Sequence, residues 1–504
     1  MARRISHSTA LLALVTLGSV IIAGPRAAGG QVPRAEYAAR RRALAAAIDS
    51  GVIVAYGGVD PVNFWPNFFQ LPAFHYLTGF DETDAALVIV KRAGTVSSTM
   101  FVPTRTYAEA RWVGSRTAPG ALAATIGIPG RDIAGLSPTV DSLVSAGLTL
   151  YVVPDAQSSD NAAEDSLTRG TRMLARLRSS RPTLTVVALD TTVNRLRAKK
   201  SSAEIALLRK AAQISVRAHV EAMKATAPGC GENEIQALLD GTFRRLGGDR
   251  PGYGSIVGSG PNATILHYME DNRVMRDGEL LLIDAATSFD HYSADVTRTL
   301  PVNGKFTTEQ REIYQIVRDA QEAYVRQIRP GAKASVAGDS GRAVVTKGLV
   351  RLGLIESDTA TFDAPQGMRC PPSGCAERAI YAWHGFGGHG IGNEVHDPAQ
   401  YYGEGGTFHA GDVMTVEPGI YVDPEFIASF PDTPRNRAMR AKLAKAIARY
   451  KGIGVRIEDD YAVTADGTEW LSKGAPREVA EVEAMMKQKP PELPGGGACG
   501  EPRT

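Results

Sequence analysis

The stretch LLIDAATSFDHYSADVTRTLPVNG, from Leu281 to Gly304, places two carboxylates beside apolar segments. Three apolar residues lead directly into Asp284, and a second acid, Asp295, follows eleven positions later, before another apolar run. The pattern predicts that one strand delivers the first acid, that the chain reverses through SFDHY, and that a second strand delivers the other acid. A buried carboxylate is costly unless a positive charge compensates it, so the stretch requires partners elsewhere in the chain.

Composition describes an ordinary globular protein with a distinctive N-terminus. The chain has 504 residues, 43% of them hydrophobic and 22% charged, and its formal net charge of +2 gives no indication of nucleic-acid binding. Arg3 and Arg4 precede the apolar run ALLALVTLGSVIIAG, which gives way to small residues in PRAAGGQ. This order predicts a secretory signal peptide over residues 1–30, with an uncleaved membrane anchor as the alternative. We therefore expect an exported protein, periplasmic or extracellular, with no stable membrane span after signal cleavage.

Two cysteines agree with export. Cys370 and Cys375 enclose the short polar segment PPSG, and in an oxidising compartment such a pair is expected to form a local disulfide. The spacing does not match a CxxC zinc motif, so a cysteine metal site is not expected.

Strand-like and helical segments alternate through the first part of the chain. The strand-like segments are VIVAYGG, AALVIVK, TMFVPT, LTLYVVP and LTVVALD, and helical stretches such as TYAEARWVG lie between them. The alternation predicts an α/β N-terminal domain over residues 35–197. A helix capped by Ser201 or Ser202 is expected next. It opens a second domain over residues 198–486, and a polar tail over residues 487–504 is predicted to be disordered.

The second domain contains further acids and histidines in suggestive places. His384, His389 and His396 fall within thirteen residues of the glycine-rich stretch WHGFGGHGIGNEVHDPAQ, where glycines let the backbone bring them to one site. Glu417 lies among apolar residues in GDVMTVEPGIYV, and Glu458 follows a strand-like run in GIGVRIEDDYAVT. Together with the two acids of the opening stretch they make four carboxylates in or beside strands. Positive charge in their midst explains this best, and the ligand count fits two divalent ions.

Four motifs, in this order, carry a resemblance to a known family: LLIDAATSFDHYSADVTRTLPVNG, GHGIGNEVHDP, TVEPGIY and GVRIEDD. They resemble the pita-bread metallopeptidases and, within that group, aminopeptidase P, the Xaa-Pro aminopeptidases. The segment FHYLTGFDETDAALVIV, residues 74–90, resembles the N-terminal domain that these enzymes share with prolidase and creatinase. The resemblance covers most of residues 35–480. It implies an α+β pita-bread catalytic domain that follows the α/β N-terminal domain in the chain.

The resemblance also implies a dinuclear metal site. The five residues that match the family's ligands are Asp284, Asp295, His389, Glu417 and Glu458. One imidazole and four carboxylates form a hard, oxygen-rich set, which favours Mn²⁺ and also admits Co²⁺ or Zn²⁺. Glu417 further resembles the family's ligand that shuttles the proton of the attacking water.

Other matched residues lie outside the metal shell. His267, in ILHY, matches a substrate-side histidine, and His396, in EVHD, matches the histidine that contacts the scissile amide. Arg456 matches an arginine beside the last ligand, where it is expected to orient a neighbouring carboxylate. His384 matches an earlier catalytic histidine with one departure. Five positions separate it from His389, whereas the family usually has four.

Two segments depart from the family's spacing. Residues 360–380 carry the two cysteines, and residues 423–450 carry the basic stretch RNRAMRAKLAKAIARYK. Both fall between motifs, so we expect them to form surface elements near the rim of the site. They would alter either access to the site or contacts between subunits.

The resemblance implies a dinuclear metallo-aminopeptidase that releases the N-terminal residue from peptides with proline in second position, and the predicted signal peptide implies that it is exported. One alternative is prolidase, which cleaves only Xaa-Pro dipeptides, and the motifs do not decide between these two. A creatinase-like enzyme uses the fold without metal, and a binding module on this fold would be expected to lose ligands. The complete ligand set argues against both. By analogy with relatives we expect a homo-oligomer whose partner is the peptide substrate.

Overall fold

The computed structural model describes residues 31–61, 66–156, 167–368, 370–382, 388–399 and 406–488. The predicted signal segment, His384 and residues 489–504 of the predicted tail lie outside these ranges. The described chain forms an α/β N-terminal domain and an α+β catalytic domain, as predicted. Within the described ranges, no helix has both the length and the apolar character that crossing a bilayer requires.

The N-terminal domain is built on a six-stranded mixed sheet. Its strands are β1 (Gly51–Tyr56), β2 (Ala86–Arg92), β3 (Thr95–Val102), β4 (Gly130–Asp132), β5 (Leu150–Val152) and β6 (Val186–Ala188). Their order in the sheet is β4-β3-β2-β1-β5-β6, with an antiparallel centre and parallel edges. The helices are α1 (Arg34–Ala46), α2 (Pro72–Thr78), α3 (Tyr107–Val113), α4 (Leu122–Ile126), α5 (Leu136–Ser145), α6 (Arg169–Ser180) and α7 (Asp190–Ala198).

Both faces of this sheet are buried, which explains why its central strand is an unbroken apolar run. Ile53 and Ala55 of β1 join a core formed with α1 and α2. Val52 and Val54 point the other way, into a core formed with α5 and α6. Side chains alternate between faces along a strand, so a strand covered on both sides has no polar positions.

The catalytic domain consists of small antiparallel sheets surrounded by helices. Its strands are β7 (Arg250–Pro251), β8 (Ile256–Ser259), β9 (Leu280–Asp284), β10 (Thr287–Phe289), β11 (Tyr292–Ser293), β12 (Thr297–Pro301), β13 (Thr361–Phe362), β14 (Cys375–Ala376), β15 (Val413–Val416), β16 (Gly419–Tyr421), β17 (Gly454–Arg456), β18 (Asp459–Val463) and β19 (Thr468–Trp470). The helices are α8 (Ser202–Ala225), α9 (Glu232–Arg245), α10 (Thr308–Val325), α11 (Ala334–Leu352), α12 (Pro424–Ala428), α13 (Pro434–Tyr450) and α14 (Val479–Met486). Ser201 caps α8 in a capping box with Glu204, which confirms the expected helix start.

The opening stretch forms a hairpin with a second hairpin inside it. Strands β9 and β12 pair antiparallel, with Asp284 opposite Thr297. Between them β10 and β11 pair around a turn in which Asp290 and His291 both have positive φ, 49° and 69°. The prediction that a strand delivers each acid is therefore correct for Asp284 and wrong for Asp295. The chain leaves the outer ladder to form the inner hairpin, so Asp295 lies in the link before β12.

The inner hairpin is also a contact between the two domains. The His291 ring stacks on the ring of His75 in α2, with centroids 3.9 Å apart, and lies 4.2 Å from the ring of Phe69. Its Nε2 atom is 2.8 Å from Asp81 Oδ1. The N-terminal domain thus holds the turn between the two acids of the opening stretch.

The two segments that depart from the family's spacing contact each other. Strands β13 and β14 form a short hairpin, and the disulfide expected from the sequence links Cys370 in its loop to Cys375 at the start of β14. Thr433 Oγ1, at the start of α13, donates to Asp363 Oδ2 at 2.6 Å, and Asn436 Nδ2 donates to the Asp363 carbonyl at 2.8 Å. The disulfide hairpin and the helical segment therefore form one unit.

Arg298 in β12 provides a test of how this fold is stabilised. Its fully buried guanidinium donates to Asp459 Oδ1 at 2.7 Å and to the Glu458 carbonyl at 2.6 Å. We expect Arg298→Met to lower the free energy of unfolding by about 3–5 kcal/mol, because the change leaves a buried carboxylate undercompensated. Arg326→Met, at a side chain 71% exposed, should cost less than about 1 kcal/mol. Urea unfolding measures the loss of stability in both variants. Equal losses would contradict a stabilising role for the buried Arg298 contacts.

Candidate active site

One cavity of about 460 Å³ brings together side chains from distant parts of the catalytic domain. The sequence-predicted site residues that line it are Asp284, Asp295, His389, Glu417, Glu458, His267, His396 and Arg456. His384 lies outside the described residues, so every predicted site residue that the structure describes meets at this cavity.

The ends of short strands deliver the acids to the cavity. Asp284 is the last residue of β9, Glu417 directly follows β15, and Glu458 lies between β17 and β18. An isolated antiparallel β-bridge between Thr297 and Glu458 joins the β9–β12 hairpin to the segment between β17 and β18. Apolar strands hold the backbone rigidly, and the side chains at their ends project into one space.

His389 faces the carboxylates with one ring nitrogen. Its Nε2 atom lies 3.4 Å from Asp295 Oδ2 and 3.5 Å from Glu417 Oε1. The Nδ1 atom is 3.2 Å from the Gly390 carbonyl oxygen, which fits a donor at Nδ1 and a free lone pair at Nε2. Ligand atoms of Asp295, His389 and Glu458 all lie within 4.8 Å of one another. This arrangement is suited to a cation.

The charges at the site are unbalanced without a cation. Burial, followed by the neighbouring carboxylates, raises the pKa values of Asp295 and Glu458 well above their usual range. Burial opposes the ionisation of Asp284 as well, but Arg456 and hydrogen bonds outweigh it and lower its pKa. Glu458 Oε1 is buried and has no hydrogen-bond partner among the described residues. The donor set and this free oxygen fit divalent metal.

Arg456 is part of the cavity wall and contacts one of the acids directly. Its Nη2 atom donates to Asp284 Oδ2 at 2.5 Å, and its Nη1 atom donates to the Tyr421 hydroxyl at 2.7 Å. The Nε atom donates to Thr297 Oγ1 at 3.2 Å. These contacts fix the guanidinium against Asp284 and, through Thr297, close to Glu458.

Several residues at the site were not predicted from the sequence. The Tyr253 hydroxyl lies 2.6 Å from Asp284 Oδ1 and 2.5 Å from Asp295 Oδ1, so it bridges the two acids. Thr297 Oγ1 donates to Glu458 Oε2 at 2.6 Å. Asp460 is a further buried acid, and its Oδ2 atom accepts from the Asp295 amide at 3.2 Å. Its position in the run IEDD was a usable signal, whereas nothing in the sequence singles out Tyr253.

His396 lies on a loop that forms ion pairs with the interdomain linker, residues 197–200. Its exposed ring is 4.2 Å from the ring of His389. The next residue, Asp397, is buried and accepts from Lys200 Nζ at 2.7 Å and from Arg197 Nη2. Burial opposes the ionisation of Asp397, but these two cations lower its pKa. Arg197 also pairs with Glu394 at 2.8 Å, so the linker fixes both sides of His396.

The profile of metallopeptidase family M24 matches residues 206–465, the part of the chain that contains this cavity. The chain belongs to that family. The profile of the aminopeptidase P N-terminal domain matches residues 37–150, so both halves of the predicted resemblance are confirmed. This membership makes the chain a hydrolase of the metallopeptidase class, with divalent metal as its cofactor.

Similar proteins cover nearly the whole chain. The Xaa-Pro aminopeptidase of Escherichia coli K12 is 34% identical over 90% of this chain and 98% of its own length. The Xaa-Pro aminopeptidase of Haemophilus influenzae is 35% identical over 83% of this chain and 88% of its own. The structure of Pseudomonas aeruginosa aminopeptidase PepP superimposes with a TM-score of 0.73 at 33% identity, over 90% of this chain and 98% of that one. The two-domain fold class is confirmed.

The linker contact predicts an effect on catalysis. Lys200→Met should lower kcat roughly 10–100-fold, because Asp397 loses a buried partner and the adjacent His396 shifts. Lys199→Met is the matched control, since that neighbouring side chain is exposed and should leave kcat within about twofold.

Peptidase kinetics and metal content on both variants measure the effect, and Lys200→Arg should recover part of the rate. An equal loss in the two methionine variants, or a loss of metal in step with rate, would contradict a positioning role for Lys200.

Proposed function

We propose that this protein is a dinuclear Xaa-Pro aminopeptidase, which releases the N-terminal residue from peptides with proline in second position. The observation that carries the proposal is the meeting of one imidazole and four carboxylates in a single cavity, flanked by His267 and His396. Relatives named Xaa-Pro aminopeptidase, aligned over most of both chains, support the substrate class.

The ligand set would hold two divalent cations, with Mn²⁺ preferred and Co²⁺ or Zn²⁺ as alternatives. When bound at this position, metal would lower the pKa of a water molecule and polarise the scissile carbonyl. The Tyr253 hydroxyl bridges Asp284 and Asp295 and so orients both carboxylates for metal binding. The set is too polar and too crowded to serve as packing, which agrees with a catalytic role.

The protein's own residues divide the remaining work. Thr415 Oγ1 donates to Glu417 Oε1 at 3.1 Å, which orients that half-buried carboxylate to take a proton from the attacking water. His396 would donate a hydrogen bond to the scissile amide as it becomes tetrahedral. His267, exposed at the cavity wall, would contact the substrate, and Arg456 keeps Asp284 oriented.

Metal removal and substrate length test the proposal together. Chelation should abolish activity, and Mn²⁺ should restore it better than Co²⁺ or Zn²⁺. The reconstituted enzyme should cleave Xaa-Pro-Yaa peptides at least as well as Xaa-Pro dipeptides. Full activity in a preparation shown to be metal-free by elemental analysis would refute the metal assignment. Cleavage of dipeptides alone would assign the protein as a prolidase.

A second experiment separates ligands from catalytic groups. Asp295→Asn should lower metal occupancy together with rate, because a neutral amide balances less cationic charge. His396→Ala should leave metal content nearly intact and lower kcat by about 10²–10³. Metal content and kcat are measured on both variants. Loss of metal from His396→Ala with retention in Asp295→Asn would overturn the ligand assignment.

We further propose that the protein is exported and self-associates. The apolar run behind Arg3 and Arg4 supports export, and the Cys370–Cys375 disulfide is typical of an oxidising compartment. The mature chain should begin near residues 24–31, which mass spectrometry of protein from the native host would reveal. An intact Met1 would argue against cleavage, and a monomer in light scattering would argue against self-association.

A further inference from the structure

Three side chains of metal-binding type meet at the contact between the two domains. They are His75 in α2, Asp81 in the loop that follows α2, and His291 in the turn of the inner hairpin. One ligand atom from each lies within 4.8 Å of the other two. All three residues lie outside the set that lines the active-site cavity, and the proposed reaction uses none of them.

Both histidines present the same ring nitrogen to one carboxylate oxygen. His291 Nε2 lies 2.8 Å from Asp81 Oδ1, and His75 Nε2 lies 3.5 Å from the same oxygen. A single carboxylate therefore faces two imidazoles. Two imidazoles and one carboxylate form a donor set that suits zinc and other borderline divalent ions, with water in the remaining position.

The two rings are held in place by the fold before any ion arrives. The His291 amide donates to Asp249 Oδ2 at 3.0 Å, and the His291 carbonyl accepts from Asn393 Nδ2 at 3.0 Å. The His75 ring stacks on the His291 ring with 18° between their planes, and both residues are buried. A donor set that is already assembled loses little conformational entropy on binding.

His75 is a neutral imidazole at physiological pH. Burial, followed by the neighbouring His291 ring, lowers the pKa of His75 to about 3. A metal ion binds the lone pair of a neutral imidazole, so it need not compete with a second proton on this ring. The Nδ1 atoms of both rings are buried without a hydrogen-bond partner among the described residues. No contact at Nδ1 therefore fixes the tautomer that carries its proton on Nε2.

An ion can reach these donors from solvent. The Asp81 side chain is 56% exposed, although both rings are buried. Zinc–nitrogen bonds are about 2.0–2.1 Å long, so two ligand atoms on a tetrahedral ion lie about 3.4 Å apart. Small rotations that tilt the rings out of their stack and turn Asp81 inward would bring the three ligand atoms to that separation.

We propose that His75, Asp81 and His291 form an interdomain metal site that takes zinc or a similar borderline divalent ion. The site is separate from the carboxylate-rich centre, whose donors favour Mn²⁺. An ion bound here would join α2 of the N-terminal domain to the turn between Asp284 and Asp295. The proposal does not depend on which peptide the enzyme cleaves.

The test counts zinc bound to the full-length protein after loading with Mn²⁺. Wild type, His75→Phe, Asp81→Asn and the control Asp432→Asn are dialysed against the same micromolar concentration of free Zn²⁺ and measured by elemental analysis. Asp432 is a matched control because its side chain is also exposed, at 74%. Wild type and Asp432→Asn should each retain one zinc per chain more than the other two variants. Zinc that exchanges into the active site cancels in this comparison, because all four proteins keep the active-site ligands.

Thermal stability and ion selectivity give two further readouts. At a concentration about one hundred times its Kd, Zn²⁺ should raise the Tm of wild type by roughly 2–3 °C more than that of Asp81→Asn. Excess Mg²⁺ should leave the additional zinc in place, because Mg²⁺ prefers oxygen ligands.

Asp81→Asn keeps the test decisive if His75→Phe fails to fold, because Asp81 is exposed. Equal zinc counts in wild type and Asp81→Asn would overturn the inference, since the additional zinc would then be adventitious surface binding. Displacement of that zinc by Mg²⁺ would overturn it as well. Failure to cleave Xaa-Pro peptides would refute the proposed function and leave the zinc counts unaffected.

Discussion

The cost of burying several carboxylates together, through loss of hydration and then through mutual repulsion, is the constraint on which this structure depends. Asp295, Glu458 and Asp460 are each nearly inaccessible to solvent, and each has a raised pKa. A chain that folds around such a cluster must supply donors or leave room for cations. Here it does both. Tyr253 and Thr297 donate to the acids, while Glu458 Oε1 stays free for a positive charge.

The surrounding protein keeps the acids from moving apart. Arg298 ties β12 to the Glu458 carbonyl and to the Asp459 carboxylate, and Arg456 holds the Asp284 carboxylate. The N-terminal domain contributes through the stacked rings of His75 and His291. These contacts act on the backbone that carries the ligands, so residues far from the four motifs help to fix the geometry of the site.

Much of the site could be predicted because its ligands follow a local rule. An apolar run that ends in an acid identifies Asp284, Glu417 and Glu458, since strand ends deliver side chains to one edge. The motif identified Asp295 correctly, but the predicted strand around it was wrong. The inner hairpin depends on two residues with positive φ, which the sequence does not reveal. Contacts made across the fold carry no local signal. Lys200 and Asp397 are 197 positions apart, and only the structure joins them.

The ion pairs of Arg197 and Lys200 with Asp397 show that the structural end of the N-terminal domain and the functional start of the catalytic unit fall at different residues. By chain geometry the N-terminal domain ends where α7 ends, at Ala198. By function the catalytic unit begins earlier, because Arg197 in the last turn of α7 pairs with Glu394 and Asp397 in the loop that carries His396. Recombination between relatives at the visible junction would therefore pair a linker with a loop it did not evolve beside. Chimeras should inherit the last turn of α7 with the catalytic half.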